Sequence, residues 1–399
     1  MKLNKKYIIY TALIILLFIL VIFYFFYDSH KDEHFGNHVS TYYKCKDKPI
    51  SPMLEEIFKT YGITHTENKK NTYKSNHDSW ELYIPCGYNY VENELPTIKI
   101  NKSFDKSFDK SNKQLYIFGI NGCDKMVSKN NIWATLKKYY GFDEASKIMP
   151  SSYVLEDKHD MQLFERDYRK DKIYIMKKNV QRKEGLKLTK DYNEIINGPK
   201  DEYKVVQNYI RNLYLINGYK VNLRVYLLVV INNDNKSFYI SDLGKCIYTK
   251  KKYNDNDLDF ESNITSYHLD MNVYKNNPRT FDQLRTYINK KEEDPNAGSL
   301  FFVRMNSILQ KMCTALSNEF YQSDNIKGHN AITFQLFGVD VIMDTNLNPL
   351  ILEVNKGPDM SARDDEDKKM KTIVQTHMFQ KVGVINDDYI NSINVFNQI

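Results

Sequence analysis

Cysteine is sparse in this chain of 399 residues, and what there is does not come in pairs. Cys45, Cys86, Cys123, Cys246 and Cys313 are scattered, with no C-x-x-C among them. That excludes a zinc site built on paired thiolates. An odd, thinly spread set in a long chain also reads as free thiols, not as a disulfide framework. No recognition-helix or zinc-finger pattern is present, so nucleic acid is not an expected partner, and the mild net charge of +6 does not demand one. The tandem "SFDK" within residues 101–113 is too short for a solenoid and reads as an exposed loop. What remains is a globular composition, 42% hydrophobic and 27% charged. The chain is long enough for a large core and more than one subdomain.

The longest apolar run is at the start. Residues 7–27 carry no charge over 21 positions; as a helix they extend about 31 Å, enough to cross a bilayer core. A cleaved signal would have a shorter core ending in small residues, whereas this run ends in "FYFFYDSH". A single-pass membrane anchor over 1–28 and a polar tether over 29–50 are expected. Lys2, Lys5 and Lys6 before the run and Asp28, Asp32 and Glu33 after it favour a body across the membrane. A glycan at the sequon of Asn263 would obstruct the candidate site, so a body facing the cytosol is expected instead.

Further on, Ser51 and Pro52 open a short capped helix. Ile132, Leu136 and Tyr139 or Tyr140 fall at helical spacing and end at Gly141. From Ile173 strands dominate: "KIYIMKK", "LKL" and "KVVQNYI". In "YKVNLRVYLLVVI", Lys220, Asn222, Arg224 and Tyr226 share one face and Val221, Leu223, Val225 and Leu227 the other. A cationic face turned to a cleft is one reading; a surface strand whose charges simply meet water is the other. "FFVRMNSILQKMCTALSNEFY" reads as a long helix, and a last helix follows Pro358.

Between them lies the most informative stretch. "FQLFGVDVIMD" and "PLILEVN" read as two strands joined by a turn over Thr345 to Asn348. That turn sets Asp344 opposite Pro349, Asp340 opposite Glu353 and Gly338 opposite Asn355. Paired Cβ atoms are about 5 Å apart, and two carboxylates so close repel unless a cation sits between them. Two carboxylates and an amide oxygen suit Mg²⁺ carrying phosphates. A solvent-facing hairpin with chance acidic residues is the competing reading.

In this order, "INGCDKMVSKNNIWATL", "MPSSYVL", "YIMKK", "VVQNYI", "GYKVNLRVYLLV" and the closing hairpin resemble the tubulin–tyrosine ligase-like family of the ATP-grasp fold, from about Ser51 to the late 380s. The resemblance implies an α+β fold with antiparallel sheets sandwiching ATP. It implies a smaller N-terminal subdomain, 51–148, before an ATP-grasp region, 149–390. Mg²⁺ falls to Asp340, Glu353 and Asn355. Lys177 and Lys220 fall to ATP phosphates, Gln207, Tyr209 and Ile210 to adenine, and Lys129 and Thr265 to the nucleotide. Arg224, with Lys220, is placed in the catalytic set, its planar fork suited to a carboxylate.

Departures from the family pattern cluster on the amino-acid side: Asn222 where an Asp is usual, Ile247 where a second Arg falls, and Ser266 after Thr265 where an Asn is usual. The nucleotide loop keeps Gly185 but has Lys183 where a Gly is common. The function implied is an ATP-dependent ligase joining an amino acid to a protein or peptide carboxylate through an acyl phosphate. A nucleotide-binding pseudoenzyme acting as a membrane-anchored binding module, and a ligase for a small metabolite, stay open beside it. Arg169, Lys170, Lys172, Lys177, Lys178, Arg182, Lys183, Lys187 and Lys190, opposed only by Asp171 and Glu184, suggest an acidic, tubulin-like tail as acceptor.

Overall fold

A computed structural model of the chain describes residues 39–45, 47–66, 80–87, 91–98, 100, 114–180, 185–255, 258–265, 271–386 and 394–399. Among the described residues two sheets organise the fold, and both are rich in antiparallel pairing. The larger has nine strands: β1 (Thr41–Tyr43), β2 (Thr64–His65), β3 (Leu82–Tyr83), β4 (Leu115–Phe118), β9 (Val221–Asn232), β10 (Asn235–Tyr248), β11 (Ala331–Met343), β12 (Pro349–Asn355) and β13 (Phe396–Gln398). They run in the order β13-β10-β9-β11-β4-β3-β1-β2, with β12 also paired to β11. The smaller has β5 (Ser152–Val154), β6 (Tyr174–Lys177), β7 (Leu186–Thr189) and β8 (Val205–Asn208), in the order β5-β8-β6-β7. The α+β class implied by the sequence is the class observed.

Both faces of the large sheet are covered, which is why β9 is apolar on both sides in its second half. On one face Val221, Leu223, Val225, Leu227 and Val229 pack with helices α3 (Lys129–Tyr140), α5 (Phe281–Lys291) and α6 (Ala297–Leu316). On the other, Tyr226, Leu228 and Val230 meet α1 (Pro52–Thr60) and α7 (Asp365–Lys381). Lys220, Asn222 and Arg224 continue that second face beyond the apolar part, and all three are buried. Local signals hold where they were read. Ser51 Oγ accepts the Leu54 N–H at 3.3 Å with Pro52 in the first turn. In α3, Ile132 and Leu136 are buried and Tyr139 is exposed.

Three expectations are corrected. The run at residues 7–27 lies outside the described residues, and among the described residues no helix is long and apolar enough to cross a membrane. The longest, α6, turns Arg304 and Lys311 to solvent while its other side enters the core. The single-pass membrane reading, with its anchor, its membrane partner and its sidedness, is therefore withdrawn. Second, Cys45 and Cys86 are joined, Cα to Cα 5.5 Å. β1 pairs parallel with β3, so the residues following each strand meet although 41 positions separate them. Third, the turn of the closing hairpin is one residue longer than read. Met343, not Asp344, faces Pro349, and a bulge between Asp340 and Val341 restores Asp340 to Glu353 and Gly338 to Asn355.

Candidate active site

The large sheet carries the acidic part of the site on β11 and β12. Asp340 and Glu353 are cross-strand partners, with Asn355 two residues further along the same face. The bulge inserts Leu352 between paired residues, and the Leu352 carbonyl accepts Lys177 Nζ at 3.2 Å. Lys177 closes β6 of the small sheet, so this bond ties the two sheets together.

β9 lies on the other side of β11 and pairs Arg224 with Asp340. Arg224 grips the carboxylate at two points, Nε to Oδ1 at 2.6 Å and Nη2 to Oδ2 at 3.2 Å. Gly338 makes room for this: a Cβ there would stand 3.0 Å from both Arg224 Cδ and Pro358 Cβ. The fork expected to hold a substrate carboxylate thus rests on a carboxylate of the chain.

Burial pushes the Asp340 carboxyl up from its ordinary value, against the pull of Arg224. Burial acts upward on Glu353 too, but Lys129, Lys177 and Arg224 outweigh it and hold Glu353 low. Lys129 Nζ lies 3.9 Å from Glu353 Oε2. Lys177 is driven down to about 8, first by burial, with Glu353 pulling the other way. Lys129, Lys177, Gln207, Leu352 and Glu353 line one narrow cavity between the sheets, with Ile132, Met149 and Val205 on its walls. A larger hollow of about 390 Å³ beside Phe281, Phe302 and Asn306 contains none of the expected residues.

The remaining residues form a second group. Lys220 is buried, its Nζ donating to Tyr209 Oη at 3.1 Å and to the Asn263 carbonyl at 2.8 Å, 4.5 Å from the Tyr209 ring centroid. Burial, then the charge of Lys177, lowers Lys220 to about 7. Tyr209 Oη also bonds Asn263 Oδ1 at 3.0 Å, and burial pushes that phenol up. Gln207 Nε2 donates to Ser152 Oγ at 2.8 Å and to the Pro150 carbonyl at 3.3 Å, so its amide serves the small sheet while its side chain faces the cavity. Ile210 is half-buried two residues past β8. Asn222 Nδ2 donates to Thr265 Oγ1 at 3.0 Å, and Ile247 is its cross-strand neighbour. Ser266, Arg182 and Lys183 lie outside the described residues.

This donor set fits a hard divalent cation bearing an anionic ligand: two carboxylates and an amide on one hairpin face, with two lysine ammoniums beside them. Asn222 Oδ1 is buried with no donor to satisfy it, which leaves an acceptor for a ligand hydroxyl or amine. Glu92, Cys123 and Asp124 also bring ligand atoms within 4.8 Å of one another. There, however, Lys356 pairs with Asp124, and Glu92 accepts the Asp124 N–H, so the chain already supplies what the group needs.

Several contributors escape a sequence reading. Leu352 acts through its carbonyl, for which a side chain gives no signal. Asn263 supplies two acceptors from 43 residues beyond Lys220. Lys245 faces Arg224 across β9 and β10 only because of a bulge between Ile240 and Gly244. It reaches Asp367 at 2.8 Å, and Lys371 meets the same carboxylate at 3.0 Å.

Residues 107–390 match the tubulin-tyrosine ligase family. A probable tubulin polyglutamylase of Caenorhabditis elegans is 28% identical over 274 residues, 62% of this chain and 61% of that protein. A probable tubulin polyglutamylase of Rattus norvegicus is 28% identical over 180 residues, 44% of this chain and 37% of that one. A tubulin polyglutamylase of Mus musculus is 25% identical over 268 residues, 62% and 19% respectively. The chain therefore spans less than two thirds of the length of these relatives.

Proposed function

Because the chain belongs to the tubulin-tyrosine ligase family, we propose that it is an ATP-dependent carboxylate–amine ligase that adds an amino acid to a protein carboxylate. The observation that carries this reading is the meeting of Lys129 and Lys177 with the Asp340–Glu353–Asn355 hairpin across two sheets. ATP supplies the phosphoryl group that activates a carboxylate for attack by an amine, and Mg²⁺ offsets phosphate charge. The chain's part is placement. Asp340, Glu353 and Asn355 hold the cation. Lys129 and Lys177 meet phosphate oxygens, where a cation in a water-poor cleft is worth most. Lys220 joins them on the phosphates, Tyr209 and Ile210 take the adenine side with Gln207 as its wall, and Thr265 meets the nucleotide. Arg224, which now grips Asp340 at two points, would supply the planar fork for the substrate carboxylate.

The relatives' names point to tubulin, and an acidic protein tail is the proposed acceptor. Among the basic residues that suggest it, Arg169, Lys170, Lys172 and Lys190 face solvent. Lys187 lies 3.1 Å from Glu194 and Lys178 3.6 Å from Glu202, so these two contribute less to the rim than their charge alone implies.

A second reading is favoured by the altered pair Asn222 and Ile247: a nucleotide-binding protein that no longer joins substrates. ATP turnover separates the two. The ligase converts ATP to ADP and phosphate in a way that depends on Mg²⁺, acceptor and amino acid, and Glu353→Gln lowers that rate by about a hundredfold or more while the fold survives. Nucleotide binding without acceptor-dependent turnover supports the second reading. Turnover unchanged in Glu353→Gln removes the hairpin from the mechanism.

A further inference from the structure

Helix α3 begins at Lys129, and the residue before it is Ser128, a type whose hydroxyl ordinarily caps a first-turn amide. Here Ser128 makes no capping bond. Its Oγ donates to Asn130 Oδ1 at 2.6 Å. The Lys129 N–H is met from 50 residues away: Asn179 Oδ1 accepts it at 2.9 Å. Asn179 Nδ2 donates to Asn130 Oδ1 at 2.7 Å, so both polar ends of one amide are spent on the start of α3. The next residue continues the attachment, the Val180 carbonyl accepting Lys129 Nζ at 3.0 Å.

Asn179 stands two residues past Lys177, the end of β6. Its partner helix begins with Lys129. Both lysines line the cavity that Glu353 lines, and Lys129 Nζ lies 3.9 Å from its carboxylate. A local cap from Ser128 would fix the helix end without fixing it to anything else. The cap from Asn179 fixes the helix to the strand.

We propose that Asn179 is a positioning residue that clamps the start of α3 to the end of β6, setting Lys129 and Lys177 at one spacing against Glu353. This rests on the reading of those lysines as nucleotide-phosphate ligands. The loss of a cap and its companion bond corresponds to about a five- to tenfold weakening.

Three variants of the whole chain test it: Asn179→Ala, Asn179→Asp and Ser128→Ala. Hydrogen exchange on the nucleotide-free protein reads the Lys129 amide, and titration with Mg²⁺ and a non-hydrolysable ATP analogue reads affinity. Asn179→Ala should speed exchange at Lys129 and raise the nucleotide Kd about five- to tenfold, with kcat at saturating ATP within about twofold. Asn179→Asp keeps an acceptor for the Lys129 N–H and should recover most of the affinity. Ser128→Ala should leave both readouts near wild type. Affinity unchanged in Asn179→Ala, Asn179→Asp no better than Asn179→Ala, or Ser128→Ala reproducing the defect would overturn the clamp. A wild-type chain that binds no nucleotide overturns the ligase reading and the purpose of the clamp with it, while the exchange measurement still tests the cap itself.

Discussion

Arg224 and Asp340 face each other on adjacent strands and form a two-point ion pair in a buried position. Removing one partner of such a pair leaves an uncompensated buried charge, which costs about 3–5 kcal/mol. Arg224→Ala should therefore lower the unfolding free energy by about that amount, measured by urea titration. Arg224→Lys should recover only part of it, because a single ammonium cannot make both bonds. A variant as stable as wild type would show that Asp340 is neutral in the folded protein.

Lys220 carries a pH signature of two opposite signs. Its pKa falls from 10.5 to about 7 on burial. If the ammonium serves the nucleotide, ATP affinity falls as pH rises from about 6 to about 8, and Lys220→Met removes that step. For the free protein the unfolded chain holds a proton that the folded one has lost between about 7 and 10.5. The Lys220 contribution to stability therefore rises with pH through that window. Calorimetric binding and melting curves across the range check both signs.

An acidic acceptor implies salt dependence. Exposed charges are screened over about 8 Å at physiological ionic strength, so the KM for an acidic peptide should climb steeply with added salt while the KM for ATP moves less. Charge reversal at Arg169, Lys170 and Lys172 should act in the same direction. Steady-state kinetics indifferent to both would point to a small neutral acceptor.

The Cys45–Cys86 link closes a loop of 41 residues, for which chain entropy alone implies about 4 kcal/mol, with about 2–4 kcal/mol usual. A Cys45→Ser, Cys86→Ser double variant should be less stable by about that amount. Mass spectrometry after alkylation should find three reactive thiols in the denatured protein, from Cys123, Cys246 and Cys313. Five would remove the disulfide from the account.

Much of this site is legible in the sequence because strand periodicity transmits side-chain direction. Lys220, Asn222 and Arg224 share a face, and Asp340 meets Glu353. The second of these hides a compensation: a turn one residue longer than its composition suggests is offset by one extra residue at Leu352. Register counted from a turn cannot see a bulge, and here both lysine contacts and carboxylate pairing depend on it. Bulges also hide Lys245. What local pattern does not carry at all are contacts made by distant chain, such as Asn179 on Lys129 and Asn263 on Lys220. The joining of Cys45 to Cys86 belongs with them, since it follows from strand order and not from spacing.

The most direct test of the ligase reading is the mass of the acceptor. An acidic tail peptide is incubated with the full chain, ATP, Mg²⁺ and a mixture of amino acids, and its intact mass is followed. The account predicts a gain equal to one or more amino acids less a water each, dependent on ATP and Mg²⁺ and lost in Glu353→Gln. ATP consumed with no acceptor gaining such a mass, protein or peptide, would contradict it.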